Sequence, residues 1–315
     1  MFLIIGGSNS LTNRLYAKLR ARGHRSCFWP SDSFPLESWV ALETGPPPKG
    51  RFWLPGIGQQ SLSLQEIEGV YWWFYEGPAL LKAPPVEGET PEQAARRQRQ
   101  ELDACLLTAY HLMDCPWINP PGSVLNHRYK VEQLTEATAL GFTIPDSLMS
   151  NDPQAIAAFY QDCQGEVVVK SVATTGVPSR LTQAQLSQWQ KNGESKPATR
   201  LFQRFIPGTD VRVHVVGQRL FASEVLSDHW VSKVDLKDPQ PVSIPDALAQ
   251  QCLTLCEKLN LVLAGIDFRK TSDGEYVFLE ANPSPQYPAY EDRNHYPISD
   301  AIVEALIRGV GAKHR

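Results

Sequence analysis

Residues 264–287 read AGIDFRKTSDGEYVFLEANPSPQY. Two apolar runs flank a Thr-Ser-Asp-Gly segment, the pattern of a β-hairpin. Asp267, Glu280 and Asn282 interrupt those runs. Side chains alternate across a strand, so Glu280 and Asn282 share one face of theirs, and Asp267 and Arg269 share one face of theirs. With the turn over Thr271–Gly274, Asp267 is expected opposite Phe278 and diagonal to Glu280, at about 7–8 Å. A cation held by two carboxylates and an amide oxygen suits that gap. Hard oxygen donors without His or Cys point to Mg²⁺ (or Mn²⁺), which keeps several waters and binds substrate phosphates. A surface hairpin with a solvated polar face is the alternative. Against it, Ile266, Phe268, Phe278, Leu279 and Ala281 surround the two acids, and unpaired acids in such company are costly. Pairing with Arg269 would offset that cost.

A cation that bridges phosphates requires a nucleotide site, hence other cations. Lys170 ends the apolar run EVVVK, directly before a loop with Ser171, Thr174, Thr175 and Gly176. Backbone N–H groups and hydroxyls of such a loop can hold phosphate. Lys130 lies in the helix that opens the middle of the chain, expected over Asn126–Leu140 and stopped by Gly141. Either lysine alone also reads as a snorkelling surface residue.

Before that helix the pattern is α/β. MFLIIGG is a strand ending in glycines, and SLTNRLYAKLRARG is a helix with Leu11, Leu15, Tyr16 and Leu19 on one side. The Gly6-Gly7 turn lacks G-x-G-x-x-G spacing. The run Tyr71-Trp72-Trp73-Phe74-Tyr75 reads as a buried strand, or as the lining of a peptide groove. Thr90, Pro91 and Gln93 form a helix start. Arg96, Arg97 and Arg99 read as a solvated face or a contact for an acidic leader peptide. WINPPG is a linker. Asp152-Pro153 starts another helix. The segments RLFQRFI, DVRVHVVG and RLFASEV read as antiparallel strands, followed by a helix over 246–259 and a last helix in PISDAIVEALIRG.

The chain has 315 residues, enough for two or three lobes. The expected division is 1–118, 119–195 and 196–315. A net charge of −4 gives no reason to expect nucleic acid. No apolar run reaches the roughly 20 residues that span a bilayer, and the start lacks a signal peptide's basic segment, so no membrane partner is expected. The six cysteines are scattered. Cys252 and Cys256 lie on the apolar face of a helix, so the expectation is a reduced, cytoplasmic protein.

In order along the chain, NHRYKVEQLTEATALGFTIPDSL, EVVVKSVATTG, LFQRFIPGTDVRVHVVG and GIDFRKTSDGEYVFLEANPSPQY resemble the nucleotide and metal segments of the ATP-grasp superfamily of carboxylate–amine ligases, over about residues 115–310. The D-x-R-V-x-V-V-G strand resembles the branch holding ribosomal-protein glutamate ligases and graspetide (microviridin-type) peptide ligases. WINPP, GFTIPDSL, GIDFR and PISDAI are similar to the graspetide side. SPQYPAYEDRNHYP departs from the INPAGQ-like residues usual after the metal motif, in the region expected to meet substrate.

The resemblance implies an α/β (α+β) ATP-grasp fold with a preceding α/β domain, using ATP and Mg²⁺. A carboxylate would attack the γ-phosphate, and an amine or hydroxyl would displace phosphate from the acyl phosphate. Asp267, Glu280 and Asn282 would hold metal, and Lys130 and Lys170 would meet phosphate oxygens beside Ser171, Thr174 and Thr175. Gln203, Arg204, Phe205 and Ile206 would line the adenine, with backbone groups of Arg204 and Ile206 on its edge. Asp210 would reach the ribose or order the hinge. Arg212 and Arg269 would hold the γ-phosphate, acyl phosphate or acceptor carboxylate, with His214 a candidate base. The implied partner is a ribosomally made precursor peptide with its leader, or an amino acid added to a protein tail or metabolite; a homodimer is expected. A nucleotide-binding leader partner without turnover is the non-enzymatic alternative.

Overall fold

The computed structural model describes residues 1–7, 9–30, 34–55, 57–58, 60–73, 86, 88–126, 129–172, 177–191, 198–225 and 238–311. β1 (Phe2–Ile5) leads through Gly6 and Gly7 into α1 (Ser10–Ala21). Asn9 caps that helix, accepting from the N–H groups of Leu11 and Thr12. β2 (Ser26–Trp29) lies parallel to β1. β3 (Trp39–Glu43), β4 (Lys49–Trp53) and β5 (Leu62–Ser63) make an antiparallel sheet that the sequence reading did not assign. β6 (Gly69–Trp72) returns to the other side of β1, and α2 (Pro91–His111) and β7 (Trp117–Ile118) complete an all-parallel sheet of order β2-β1-β6-β7. All four residues of β6 are buried, as a parallel strand covered on both faces requires; Phe74 and Tyr75 lie outside the described residues. Thr90 and Gln93 close a reciprocal capping box at α2.

A short helix that the sequence reading did not assign, α3 (Pro121–Asn126), precedes α4 (Lys130–Ala139). The helix expected over 126–140 is α4, which starts four residues later than expected, at Lys130. Gly141, at φ +83, ends α4 as expected. β8 (Ser147–Ser150), α5 (Pro153–Asp162), β9 (Val167–Lys170), β10 (Ser179–Arg180), α6 (Gln183–Lys191) and β11 (Arg200–Arg204) follow. Their antiparallel sheet has the order β10-β9-β11-β8. Ile156, Cys163, Val167, Leu181, Leu186 and Phe202 form its core. The strand in RLFQRFI therefore pairs back onto β8 and β9 rather than joining the strands after it.

The last sheet is β12 (Thr209–Val216), β13 (Arg219–Val225), β14 (Pro239–Pro241), β15 (Leu263–Lys270) and β16 (Tyr276–Asn282), in the order β14-β13-β12-β15-β16. One face is apolar. Val211, Val213, Val215, Ile266, Phe268 and Phe278 pack there against α4 and against α7 (Asp246–Lys258), which buries Leu248, Cys252, Leu255 and Cys256. All six cysteines are unpaired thiols. α8 (Pro288–Asn294) and α9 (Ile298–Ile307) close the chain. Ile302 and Leu306 of α9 share a core with Leu11, Leu15 and Leu19 of α1 and with Phe2 and Ile4 of β1. Ion pairs rim that junction: Arg14 with Asp292, and Lys18 and Arg22 with Asp300.

Candidate active site

The other face of the last sheet is charged. Antiparallel pairing sets Asp210 opposite Arg269, Arg212 opposite Asp267 and His214 opposite Gly265. On the hairpin side Asp267 is opposite Glu280 and Gly265 opposite Asn282. The expected partner of Asp267 was Phe278. Two one-residue shifts account for the difference. The turn is longer than assumed, closed by Thr271 N–H donating to the Glu275 carbonyl at 2.9 Å. A β-bulge then takes up Leu279, since Phe268 pairs with Phe278 while Asp267 pairs with Glu280. The bulge lets Phe278 enter the core while Glu280, two residues on, stays on the charged face with Asp267.

Each acid meets a cation. Arg212 donates through Nε and a terminal nitrogen to the two oxygens of Asp267, both at 2.6 Å. Lys130 Nζ donates to Glu280 Oε2 at 2.7 Å. These side chains are 13–18% exposed. Burial alone would lower the Arg212 pKa, but Asp267, Tyr290 and Glu280 outweigh it and hold the guanidinium above its ordinary value. Asn282 Oδ1 accepts from Ser284 N–H at 2.9 Å, and a carbonyl oxygen retains a second lone pair. Two opposed carboxylates with an amide oxygen beside them form a hard-oxygen donor set that suits Mg²⁺. Among the described residues no three His, Cys, Asp or Glu side chains cluster as a metal cage.

Three residues outside the expected set hold this arrangement. Gln133, one turn after Lys130, donates to the Ala281 carbonyl and accepts from its N–H, both at 2.9 Å. It thereby satisfies the edge strand β16 and fixes α4 along it. Asn119, fully buried in the presumed linker, donates to the Leu263 and Pro283 carbonyls, both at 2.7 Å, and accepts from Val262 and Leu263 N–H. Tyr290 of α8 lies 4.8 Å from the His214 ring and 5.8 Å from the Arg212 guanidinium carbon. Gly265 makes room for the returning chain, because a Cβ there would stand 2.7 Å from Pro285 Cβ. No local sequence signal marks Asn119 or Tyr290, whose partners are far along the chain.

The remaining expected residues divide. Arg269 donates to the Ile206 carbonyl at 3.1 Å, to Asp210 at 2.6 Å and to the Gly208 carbonyl. Three of its five N–H donors thus tie the segment after β11 to β15, with Asp210 as the charged partner. Phe205 carries the Arg180 guanidinium on its ring at 3.4 Å. The Arg204 N–H donates to the Asp146 carbonyl, and the Ile206 carbonyl accepts from Arg269. Gln203 is buried and donates to Ser147 Oγ at 3.0 Å. Lys170 and Ser171 follow one another at the end of β9; Thr174 and Thr175 lie outside the described residues. His214 is fully buried, and burial, with Arg212 next, pushes its pKa down to about 3. That burial favours the neutral imidazole.

The whole chain is similar in structure to several solved enzymes. It matches macrocyclase MdnC of Microcystis aeruginosa MRC, solved with precursor peptide MdnA, at 24% identity over 98% of this chain and 99% of that one, with a TM-score of 0.81. It matches a Chryseobacterium gregarium RiPP-associated ATP-grasp ligase, solved with ADP and a leader and core peptide, at 19% identity over 100% and 98%, with a TM-score of 0.83. The chain has the ATP-grasp fold. A further ATP-grasp ligase, PsnB, solved with a phosphomimetic minimal precursor, Mg and ADP, matches at 24% identity over 98% of both chains, with a TM-score of 0.74. No family model and no curated protein matches the sequence. Among the described residues no helix is long and apolar enough to cross a membrane.

Proposed function

We propose that this chain is an ATP-dependent ligase that activates a carboxylate of a ribosomally made peptide as an acyl phosphate and joins it to an amine or hydroxyl. The observation that carries the reading is the opposed pair Asp267 and Glu280, neutralised by Arg212 and Lys130 on the charged face of the last sheet. That the fold matches peptide-bound ligases from end to end supports a peptide substrate.

In this reading the adenine edge meets the Arg204 carbonyl and the Ile206 N–H, with Gln203 and Phe205 beside it. Lys130 and Lys170 hold phosphate oxygens, with Ser171, Thr174 and Thr175 in the covering loop. Asp267, Glu280 and Asn282 hold Mg²⁺, which would offset charge on the β- and γ-phosphates. Arg212 faces the transferred phosphoryl and the acceptor carboxylate with the guanidinium N–H groups that Asp267 does not take. Arg269 positions the hinge.

The test is incubation with ATP, Mg²⁺ and Asp/Glu-rich precursor peptides. ADP release together with loss of one water per new bond is expected. Unchanged peptide with every precursor refutes the ring-closing reading. ADP release that depends on a free amino acid, with peptide mass gain, would show an amino-acid ligase. Glu280→Ala should abolish turnover and keep the fold.

A further inference from the structure

We propose that Lys130 stands in for the metal while the site is empty of nucleotide, so that metal and nucleotide bind as a coupled pair. This rests on the nucleotide reading above. Asp267, Glu280, Lys130 and Arg212 carry two negative and two positive charges, and they pair acid to cation at 2.6–2.7 Å. A divalent ion entering alone would meet two carboxylates already matched and two cations close by. It would leave the group with two uncompensated positive charges, which a partly buried site disfavours. The triphosphate supplies the missing anions. Its oxygens compete with Glu280 for the ammonium, and the metal takes the carboxylate that Lys130 vacates.

The two ion pairs differ in how readily they exchange. Arg212 is bound by both oxygens of one carboxylate and lies near the Tyr290 ring on a central strand. A planar fork in that setting has one good geometry. Lys130 makes one contact to Glu280 from the first residue of α4. Its flexible stem carries a point charge that can move between carboxylate and phosphate. The neighbours Tyr129 and Val131 are 59% and 48% exposed, so the turn that carries Lys130 is open on its outer side. Gln133, by contrast, stays locked to Ala281. The exchange is therefore assigned to Lys130–Glu280, while Arg212–Asp267 persists as the fixed half. Because coupling free energies are reciprocal, ADP must raise metal affinity by the same factor as metal raises ADP affinity.

Mn²⁺ binding, read by electron paramagnetic resonance, tests this without turnover. The full chain should bind Mn²⁺ at least about tenfold more tightly with ADP than without. Lys130→Gln should raise Mn²⁺ affinity in the absence of ADP and shrink the ADP effect toward unity. Lys130→Arg, which restores a cation, should return low affinity for the bare ion; far-ultraviolet circular dichroism checks that both variants fold. Equal Mn²⁺ affinity with and without ADP in the parent chain, or no gain in Lys130→Gln, overturns the inference. Failure of ADP to bind at all would instead overturn the nucleotide reading on which it rests.

Discussion

Asp267 and Arg212 face each other across two central strands, and each is the other's main compensation. Removing one partner of such a pair leaves a partly buried charge unmatched, at a cost of about 3 kcal/mol. Asp267→Ala should lower stability by that order in urea unfolding, and Asp267→Ala/Arg212→Met should recover most of the loss. Additive losses in the double variant would show that the pair contributes nothing jointly. His214 yields a prediction with a definite sign. Its folded-state pKa is about 3, against the ordinary 6.5. As pH falls below about 6.5, the unfolded chain takes up a proton that the folded chain refuses. Stability contributed by neutral His214 is thus complete above that pH and is lost on acidification toward 3, with a slope near 1.4 kcal/mol per pH unit. His214→Gln should flatten this part of the stability–pH curve. An unchanged slope would mean that other groups cause the acid sensitivity. These three residues also mark what sequence can tell. The acid–cation alternation along DVRVHVV and GIDFR exposed the charged face, but which cation takes which acid depends on strand order.

At the scale of the element, the hairpin shows why the site was partly legible. Period-two alternation placed Glu280 and Asn282 on one face and the turn near its observed position. It did not contain the bulge, because an extra residue in one strand leaves no mark in that strand's own hydrophobic pattern until its partner is known. The same reason hid the place of β11, whose composition suits either neighbouring sheet. Helix ends were read correctly where cap chemistry is local, at Thr90–Pro91 and Asp152–Pro153. The start of α4 carries no such signal, since Tyr129 caps it without a side-chain hydrogen bond, and the expected start lies four residues early, at Asn126. The bulge itself makes a prediction. Deleting Leu279 leaves Phe278, Glu280, Ala281 and Asn282 in plain alternation, so their faces are preserved. That variant should fold and retain metal-dependent ADP binding. Deleting Ala281 reverses Asn282 and the turn beyond it, and should abolish binding and lower the thermal midpoint severely. Equal damage from the two deletions would show that the bulge does more than absorb one residue.

Across the whole molecule, cores rather than chain order set the mechanical units. The first lobe and the last sheet share one core, in which α1, β1 and β6 meet α8 and α9, and Arg14, Lys18 and Arg22 pair across the junction. The sheet β8–β11 has a core of its own. It reaches the charged face through the segment that Arg269 braces at Ile206, Gly208 and Asp210. Gly208, at φ +145, admits that close approach, since a Cβ there would run into the Lys270 carbonyl. The central sheet should therefore open independently of the rest. Ile156 and Ile302 are both fully buried, one in each core, and truncating either to alanine removes similar volume, at about 2–5 kcal/mol. Ile156→Ala should speed amide exchange within β8, β9 and β11 and leave β1, β6 and β15 at their original protection. Ile302→Ala should loosen β1 and β6 together with the start of β15, because their packing is common property. Were Ile156→Ala to accelerate exchange evenly in every strand, the chain would unfold as a single unit, and the separate core of β8–β11 would confer no mechanical independence.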